Sequence, residues 1–101
     1  MNAQNKVRID GCLLEREPIR YTPAGIPAIN AVLAHQSQQL EAGSERKTEF
    51  EIPLIALGDL ARQFDRLKPG ALIRAQGFLA AYSIKRRREL VLHMQSFELL
   101  N

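Results

Sequence analysis

The sequence predicts an all-β protein, a closed barrel of five strands with one short helix between the third and fourth strands. Three observations lead to this prediction. Apolar and polar residues alternate in five separate stretches, as in half-buried strands. One further stretch places its apolar residues at the three-to-four-residue spacing of a helix. Single glycines interrupt the first and fourth strand-like stretches, and such bends allow a small sheet to close.

The first predicted strand is NKVRIDGCLLE, where Val7, Ile9 and Leu13 alternate with charged side chains. Gly11 interrupts this row and predicts a bulge or a sharp bend. The next stretch, REPIRYTPAGIP, contains three prolines and one glycine. It therefore predicts a turn region rather than a strand.

The second and third strands are predicted in IPAINAVLAHQSQ and FEIPLIAL. Their apolar rows are Ile29, Ala31 and Leu33, and Phe50, Ile52 and Leu54. The polar stretch between the strands, QQLEAGSERKTE, contains Gly43 and predicts a long, mobile hairpin loop. Pro53 cannot donate a backbone hydrogen bond, so the third strand is expected to meet an edge or a bulge there.

The helix is predicted in GDLARQFDRLKPG, with Leu60, Phe64 and Leu67 on one stripe, Asp59 as its N-cap and KPG at its end. ALIRAQGFLAAYS and ELVLHMQSFELL then predict the fourth and fifth strands, with Gly77 as the second interior glycine. Five strands with a helix between the third and fourth is the element order of an OB-fold barrel. We expect residues 1–101 to form one such domain.

The composition points to a binding protein rather than an enzyme. The chain has 101 residues, 46% of them apolar, and a formal charge of +3, which is compatible with nucleic acid. Its single cysteine, Cys12, excludes an internal disulfide and any multi-cysteine zinc site. His35 and His93 fall in different strands without ligands nearby, so neither metal nor cofactor is predicted. No apolar stretch reaches the roughly 18 residues of a membrane span, and no signal sequence is evident, so we expect a soluble, cytoplasmic protein.

Basic residues are predicted in three loops, most of them in the run from Lys85 to Arg88 between the fourth and fifth strands. In an OB-fold, the corresponding loop and the first loop flank the ligand groove. Single-stranded nucleic acid is bound by such positive tracks together with aromatic rings that stack on bases. Phe50 fits a stacking role and a core position equally well. The candidate DNA-binding residues are Arg20, Tyr21, Arg46, Lys47, Phe50, Tyr82, Lys85, Arg86, Arg87 and Arg88. The alternative for the cationic run is a solvated surface that only improves solubility.

Two long stretches resemble the bacterial single-stranded DNA-binding proteins. NKVRIDGCLLEREPIRYTPAGIPAINAVLA is similar to the motifs N-K-V-x-x-x-G, R-Y-x-P-x-G and A-x-x-x-x-L-A of that family. TEFEIPLIALGDLARQF is similar to its T-E-W and G-x-L-A motifs, with Phe50 in place of the tryptophan. The resemblance extends from about Asn5 to Leu99. The sequence stops at Asn101, where that family continues into a tail with an acidic tip.

A tailless branch, the primosomal replication protein N (PriB) family, is more similar still. Its SGIP, EAG, GF and VLH segments match AGIP, Glu41–Gly43, Gly77–Phe78 and Val91–His93 here. This resemblance implies an OB-fold homodimer that binds single-stranded DNA and helps the helicase PriA and other primosome proteins in replication restart at stalled forks. It leaves two alternatives open: a tailless single-stranded DNA-binding protein that coats DNA, and a protein-interaction module whose cationic turn binds an acidic partner.

The sequence departs from the family mainly in the predicted hairpin loop. The acidic residues in and just after this stretch are expected to weaken the positive field of Arg46 and Lys47. They are Glu41, Glu45, Glu49 and Glu51. Ser44 and Glu49 also stand where the family tends to have aromatic residues, and each missing stacking ring forfeits roughly 1–3 kcal/mol of binding.

Overall fold

The computed structural model describes residues 2–101, which form strands and one short helix. The elements in chain order are β1 (Val7–Arg16), β2 (Arg20–Tyr21), β3 (Pro27–Glu41), β4 (Ser44–Leu57), α1 (Asp59–Phe64), β5 (Leu72–Ala81) and β6 (Leu90–Leu99). The five predicted strands and the helix are all present. The additional strand, β2, spans two residues of the predicted turn region and pairs with the start of β3.

The strands close into a five-stranded barrel, as predicted. The sheet order is β1-β5-β6-β4-β3-β2, and β1 also pairs with β3, which joins the two sides. β1 achieves this by changing partner along its length: Val7–Cys12 pair with β5, and Cys12–Arg16 pair with β3. All pairings are antiparallel except the short parallel one between β4 and β6. This is the topology of an OB-fold.

The two interior glycines permit this closure in different ways. Gly77 lies at a register shift between β5 and β6, and a Cβ there would collide with the carbonyl oxygen of His93. Gly11 is not itself bulged, because the irregularity in β1 falls later, between Leu13 and Glu15. A Cβ at Gly11 would lie 2.6 Å from Cγ of Leu33. Its role is therefore close packing against β3, where β1 changes partner.

The barrel core includes most residues of the predicted apolar rows, but not Phe50, together with one face of the helix. The largest fully buried side chains are Leu13, Ile29, Leu33, Leu54, Phe64, Ile73 and Leu92. Phe64 of α1 also contacts Phe97 of β6 edge to face, with ring centroids 5.7 Å apart. Burial of each such side chain contributes roughly 1.5–3 kcal/mol to the free energy of unfolding, so these core residues dominate the stability of the fold.

The helix begins one residue earlier than predicted, because Asp59 was expected to be its N-cap. Gly58 occupies the N-cap position with φ of 71°, and Asp59 is the first helical residue. Only glycine adopts this backbone conformation readily, and the chain needs it to turn from β4 into the helix. The helix also ends earlier than KPG, at Phe64, although Leu67 in the following turn still packs against the core.

The predicted long hairpin loop is wrong, because the stretch is part of a regular ladder. β3 and β4 pair without interruption from Ala28 opposite Leu57 to Glu41 opposite Ser44. The connection is only Ala42 and Gly43, with φ of 51° and 80°. Positive φ at both central residues is the mark of a tight turn that suits the twist of paired strands. Beyond the barrel, both faces of this hairpin are solvated, so its strands carry no apolar alternation.

Pro53 lies within that ladder, opposite Val32, and interrupts no pairing. The pairing of β4 with β6 begins at the next residue, Leu54. On its outer side, Pro53 therefore meets no partner strand in the part of the chain that the structure describes. The predicted strand edge is confirmed there, and the alternative of a bulge is excluded.

Candidate nucleic-acid interface

A groove of about 610 Å³ lies on the barrel wall, and residues from several strands and from the β5–β6 connection meet in it. Arg20 of β2 and Tyr82, the first residue of the β5–β6 loop (residues 82–89), both line this groove. Its floor includes Val32 of β3 and Pro53 of β4. The barrel thus brings together a cation and an aromatic ring that lie far apart in the sequence.

Arg20 is held at the groove by the neighbouring strand. Its Nε and Nη2 donate hydrogen bonds to Oδ1 of Asn30 on β3, at 3.2 and 2.9 Å. An amide oxygen orients the guanidinium without neutralising it. Glu15 and Glu17 also line the groove, but neither forms an ion pair with Arg20. Tyr21, the next residue, is highly exposed and does not line the groove.

The β5–β6 loop carries the cationic run, as predicted, and it is organised by hydrogen bonds. The backbone N–H of Tyr82 donates to the carbonyl of Glu89 at 2.7 Å, which closes the base of the loop. The backbone N–H of Arg86 donates to the hydroxyl and carbonyl oxygens of Ser83, both at 3.1 Å. These contacts form a turn that brings the side chains of Tyr82, Arg86 and Glu89 together.

Arg86 is therefore not an unpaired cation. Its guanidinium donates two hydrogen bonds to the carboxylate of Glu89, and its central carbon lies 4.0 Å from the ring centroid of Tyr82. The hydrogen bonds to Glu89 hold the pKa of Arg86 above its ordinary value. Arg86 in turn holds the pKa of Glu89 below 4.5. The sequence-based prediction treated the four cations alike and missed Glu89, although its spacing three residues after Arg86 is a recognisable signal.

The other three cations of the run project into solvent. Lys85, Arg87 and Arg88 are exposed, and none forms an ion pair within residues 2–101. Next to them, Ile84 is 89% exposed, more than any other large apolar residue described. The tip of the loop is thus a positively charged surface with one apolar side chain.

The hairpin cations are arranged differently. Arg46 and Lys47 were predicted in a loop but are residues of β4. Each is paired with a glutamate: Arg46 with Glu41 at 3.2 Å across the hairpin, and Lys47 with Glu49 at 2.8 Å on the same strand. The acidic residues therefore weaken the positive field of these two cations by direct ion pairing.

Phe50 lies on the surface rather than in the core. Its side chain is 40% exposed and is directly opposite His35 in the β3–β4 ladder. The two rings are 4.9 Å apart, centroid to centroid. His35 is fixed by the carbonyl of Asp10 and the hydroxyl of Ser37, both at 2.7 Å from its ring nitrogens. Phe50 is therefore accessible, and it belongs with the hairpin cations rather than with the groove.

The structure thus divides the predicted residues into two groups. The groove and the β5–β6 loop hold Arg20, Tyr82 and the run Lys85–Arg88, whereas the hairpin holds Arg46, Lys47 and Phe50. Tyr21 falls in neither group. Among residues 2–101, no three His, Cys, Asp or Glu side chains are grouped in a way that would hold a metal ion. Within the same range, no helix is long and apolar enough to cross a membrane.

The sequence matches the model of a family described as "another single-strand binding protein family" over residues 5–96. The replication restart protein PriB of Bordetella pertussis is 38% identical over 91 residues, which are 90% of this chain and 84% of that protein. The corresponding protein of Nitrosomonas europaea is 34% identical over 97 residues, covering 96% and 89%. The chain belongs to the PriB family of single-strand binding proteins. Membership of this family confirms that the chain is a binding protein and not an enzyme.

Solved structures agree with the PriB assignment. PriB from Ralstonia solanacearum superimposes with a TM-score of 0.87 at 36% identity, covering 98% of this chain and 100% of that one. The single-stranded DNA binding protein of Thermus aquaticus reaches a TM-score of 0.77 at 27% identity, where the match covers 97% of this chain and 50% of that one. The OB-fold predicted from the element order is therefore confirmed by structure and by relationship.

Proposed function

We propose that this chain binds single-stranded DNA without sequence preference and acts as an accessory protein of replication restart. One observation carries the DNA part of the proposal. Arg20 and Tyr82 meet in a single groove, and the three unpaired cations Lys85, Arg87 and Arg88 lie on the loop that begins at Tyr82. A positive track beside an exposed ring suits a flexible strand, whose phosphates and bases are both accessible. Neither feature distinguishes one base from another.

The replication part of the proposal is supported by family membership. Relatives that cover most of the chain are named replication restart proteins, and a structural relative is named a single-stranded DNA binding protein. We extend this role to assistance of the helicase PriA and other primosome proteins at stalled forks, in the cytoplasm. We also propose that residues 1–101 act as one domain.

A homodimer is part of the proposal and is supported by an open strand edge. Val7–Gly11 pair with β5 on one side, but no strand pairs with them on the other side within the described chain. An unpaired edge of this kind invites another strand. Two copies of β1 related by a two-fold axis would cover both edges with the same surface.

The alternative of a protein-interaction module is favoured by one observation, the exposure of Ile84 at the cationic tip. An apolar side chain surrounded by cations would suit an acidic protein partner with an apolar anchor. A chain with only this function would show no measurable affinity for DNA. The alternative of a DNA-coating protein is distinguished from the proposal by its oligomeric state, since that family is expected to form tetramers rather than dimers.

The experiment that tests the proposal is a fluorescence titration of labelled oligo-dT at several salt concentrations, with a duplex of equal length in parallel. We expect the single strand to bind more tightly than the duplex, which is stiff and hides its base faces. Equal or tighter binding of the duplex at the same salt concentration would contradict a groove that accepts a single strand.

A further inference from the structure

We propose that Glu89 limits the affinity of the β5–β6 loop for DNA by occupying Arg86 and holding it over Tyr82. A phosphate must displace this carboxylate before it can take Arg86 as a full partner. A base must displace Arg86 before it can use the covered face of the ring. This inference rests on the proposed single-stranded DNA binding and identifies the residue that sets its strength.

The geometry makes Glu89 a substitute for a phosphate. Its two carboxylate oxygens accept from Nε and Nη2 of Arg86, which is the paired arrangement that guanidinium groups also offer to phosphate. The hydrogen bond from the backbone N–H of Tyr82 to the backbone carbonyl of Glu89 fixes the backbone of Glu89 at the base of the loop. The turn at Ser83 fixes Arg86 from the other side.

The pair is open to competition because it lies in solvent. The side chains of Arg86 and Glu89 remain 51% and 53% exposed, and Tyr82 is 57% exposed. Exposed ion pairs are weak and are screened by salt, so a phosphate chain can displace them. The carboxylate therefore lowers the affinity without blocking the site.

Arg86 differs from the neighbouring cations because its charge is already neutralised by Glu89. Binding of a nucleic acid to a cation is driven largely by release of counterions from the phosphate that the cation neutralises. An arginine already neutralised by Glu89 adds little to this release, whereas Lys85, Arg87 and Arg88 contribute fully. Replacing Glu89 by glutamine should convert Arg86 into a fourth contributing cation.

The decisive experiment compares Glu89→Gln with wild type in oligo-dT titrations over a range of salt concentrations. We expect tighter binding and a plot of log affinity against log salt that is steeper by about 0.7. The advantage over wild type should shrink about threefold between about 50 and about 200 mM salt. Glu45→Gln is the matched control, because it removes the same charge from an exposed glutamate that forms no ion pair in residues 2–101.

A double-mutant cycle shows whether the gain passes through Arg86. In an Arg86→Gln background, Glu89→Gln should have no more effect than Glu45→Gln. Unchanged or weaker binding of Glu89→Gln overturns the inference, and so does a gain that equals the control or persists without Arg86. Wild-type protein that fails to bind oligo-dT at low salt would instead overturn the proposed DNA binding itself.

Discussion

Arg74 of β5 lies directly opposite Asp10 of β1 and donates two hydrogen bonds to its carboxylate, at 2.7 and 2.9 Å. The pair links the two strands at the point where β1 is about to leave β5 for β3. The guanidinium of Arg74 also lies 3.8 Å from Glu98 on β6. Three consecutive strands of the barrel are thus connected on the outer surface by one arginine.

This arrangement predicts a loss of stability in acid. The hydrogen bonds from Arg74 hold the pKa of Asp10 below its ordinary 3.8. A lowered pKa in the folded state means that the stabilisation is present above pH 3.8 and is lost as the pH falls through the folded value. We therefore expect the melting temperature of Asp10→Asn to fall less than that of wild type between about pH 6 and about pH 3. An equal fall in both proteins would show that the pair contributes nothing to acid sensitivity.

The cations of the β5–β6 loop should contribute unequally to DNA binding. Changing Arg87 to Gln should reduce the affinity for oligo-dT and flatten the salt dependence by about 0.7, whereas Arg86→Gln should have a much smaller effect. The combined change of Arg87 and Arg88 should flatten the slope by up to about 1.4. Melting temperatures should be unchanged, since all these side chains are exposed.

Arg66→Gln is the control for that series, because Arg66 follows the helix, is exposed and forms no ion pair among the residues described. It changes the net charge equally but should leave the slope nearly unchanged. Equal effects of Arg66, Arg86 and Arg87 would mean that DNA responds only to the overall charge of the protein.

Tyr82 should act through its ring rather than through charge. Tyr82→Leu is expected to weaken binding to single strands by roughly 1–3 kcal/mol without changing the salt slope. Tyr82→Phe keeps the ring and should bind nearly as well as wild type. Equal losses in both variants would assign the effect to the hydroxyl and would exclude base stacking at this position.

Gly77 should be essential for closure of the barrel. An alanine Cβ at this position collides with the backbone of His93, which has no room to move within the β5–β6 pairing. We expect Gly77→Ala to destabilise the fold by about 3 kcal/mol or more. Urea denaturation measures this loss. Gly70→Ala is the comparison: its φ of 97° is strained for alanine, but nothing lies near the added Cβ, so about 1–2 kcal/mol is expected.

The assembly prediction is tested by light scattering. Pairing of β1 with its copy should give about twice the chain mass of 11.4 kDa at micromolar concentration. Ile9→Pro would remove a donor from this strand, but it would also disturb the pairing with β5, so the wild-type mass is the cleaner measurement. A monomer would contradict the dimer, and a tetramer would favour the DNA-coating alternative.

The barrel was predictable from the sequence because its signals are local. Alternation along β1, β3 and β5 depends only on one buried face, and Gly77 marks the bend directly. The hairpin was missed because β3 and β4 continue past the core, where both faces are wet and alternation disappears. The same extension explains why Phe50 is exposed although it lies on the same face of β4 as buried Leu54.

The sequence indicated which types of residue form the candidate site, but it did not indicate which of the cations form ion pairs. The sequence placed Arg20 in the first turn region and Tyr82 at the end of the fourth strand, and the barrel brings both to one groove. The engagement of Arg86 depends on a turn that brings Glu89 back to the loop base, and three-residue spacing alone does not establish that geometry. The pairing of Lys47 with Glu49 likewise follows from their lying on the same face of a strand, which the predicted loop did not provide.

The most direct test of single-stranded DNA binding by the groove and the β5–β6 loop is the salt dependence of wild-type binding to oligo-dT, measured beside a duplex of the same length. The three loop cations that form no ion pair within residues 2–101, together with Arg20, predict a slope of about −2.8 in log affinity against log salt. They also predict tighter binding of the single strand at every salt concentration. A slope near zero, or a duplex that binds as well as the single strand, would contradict single-stranded DNA binding by this groove and loop.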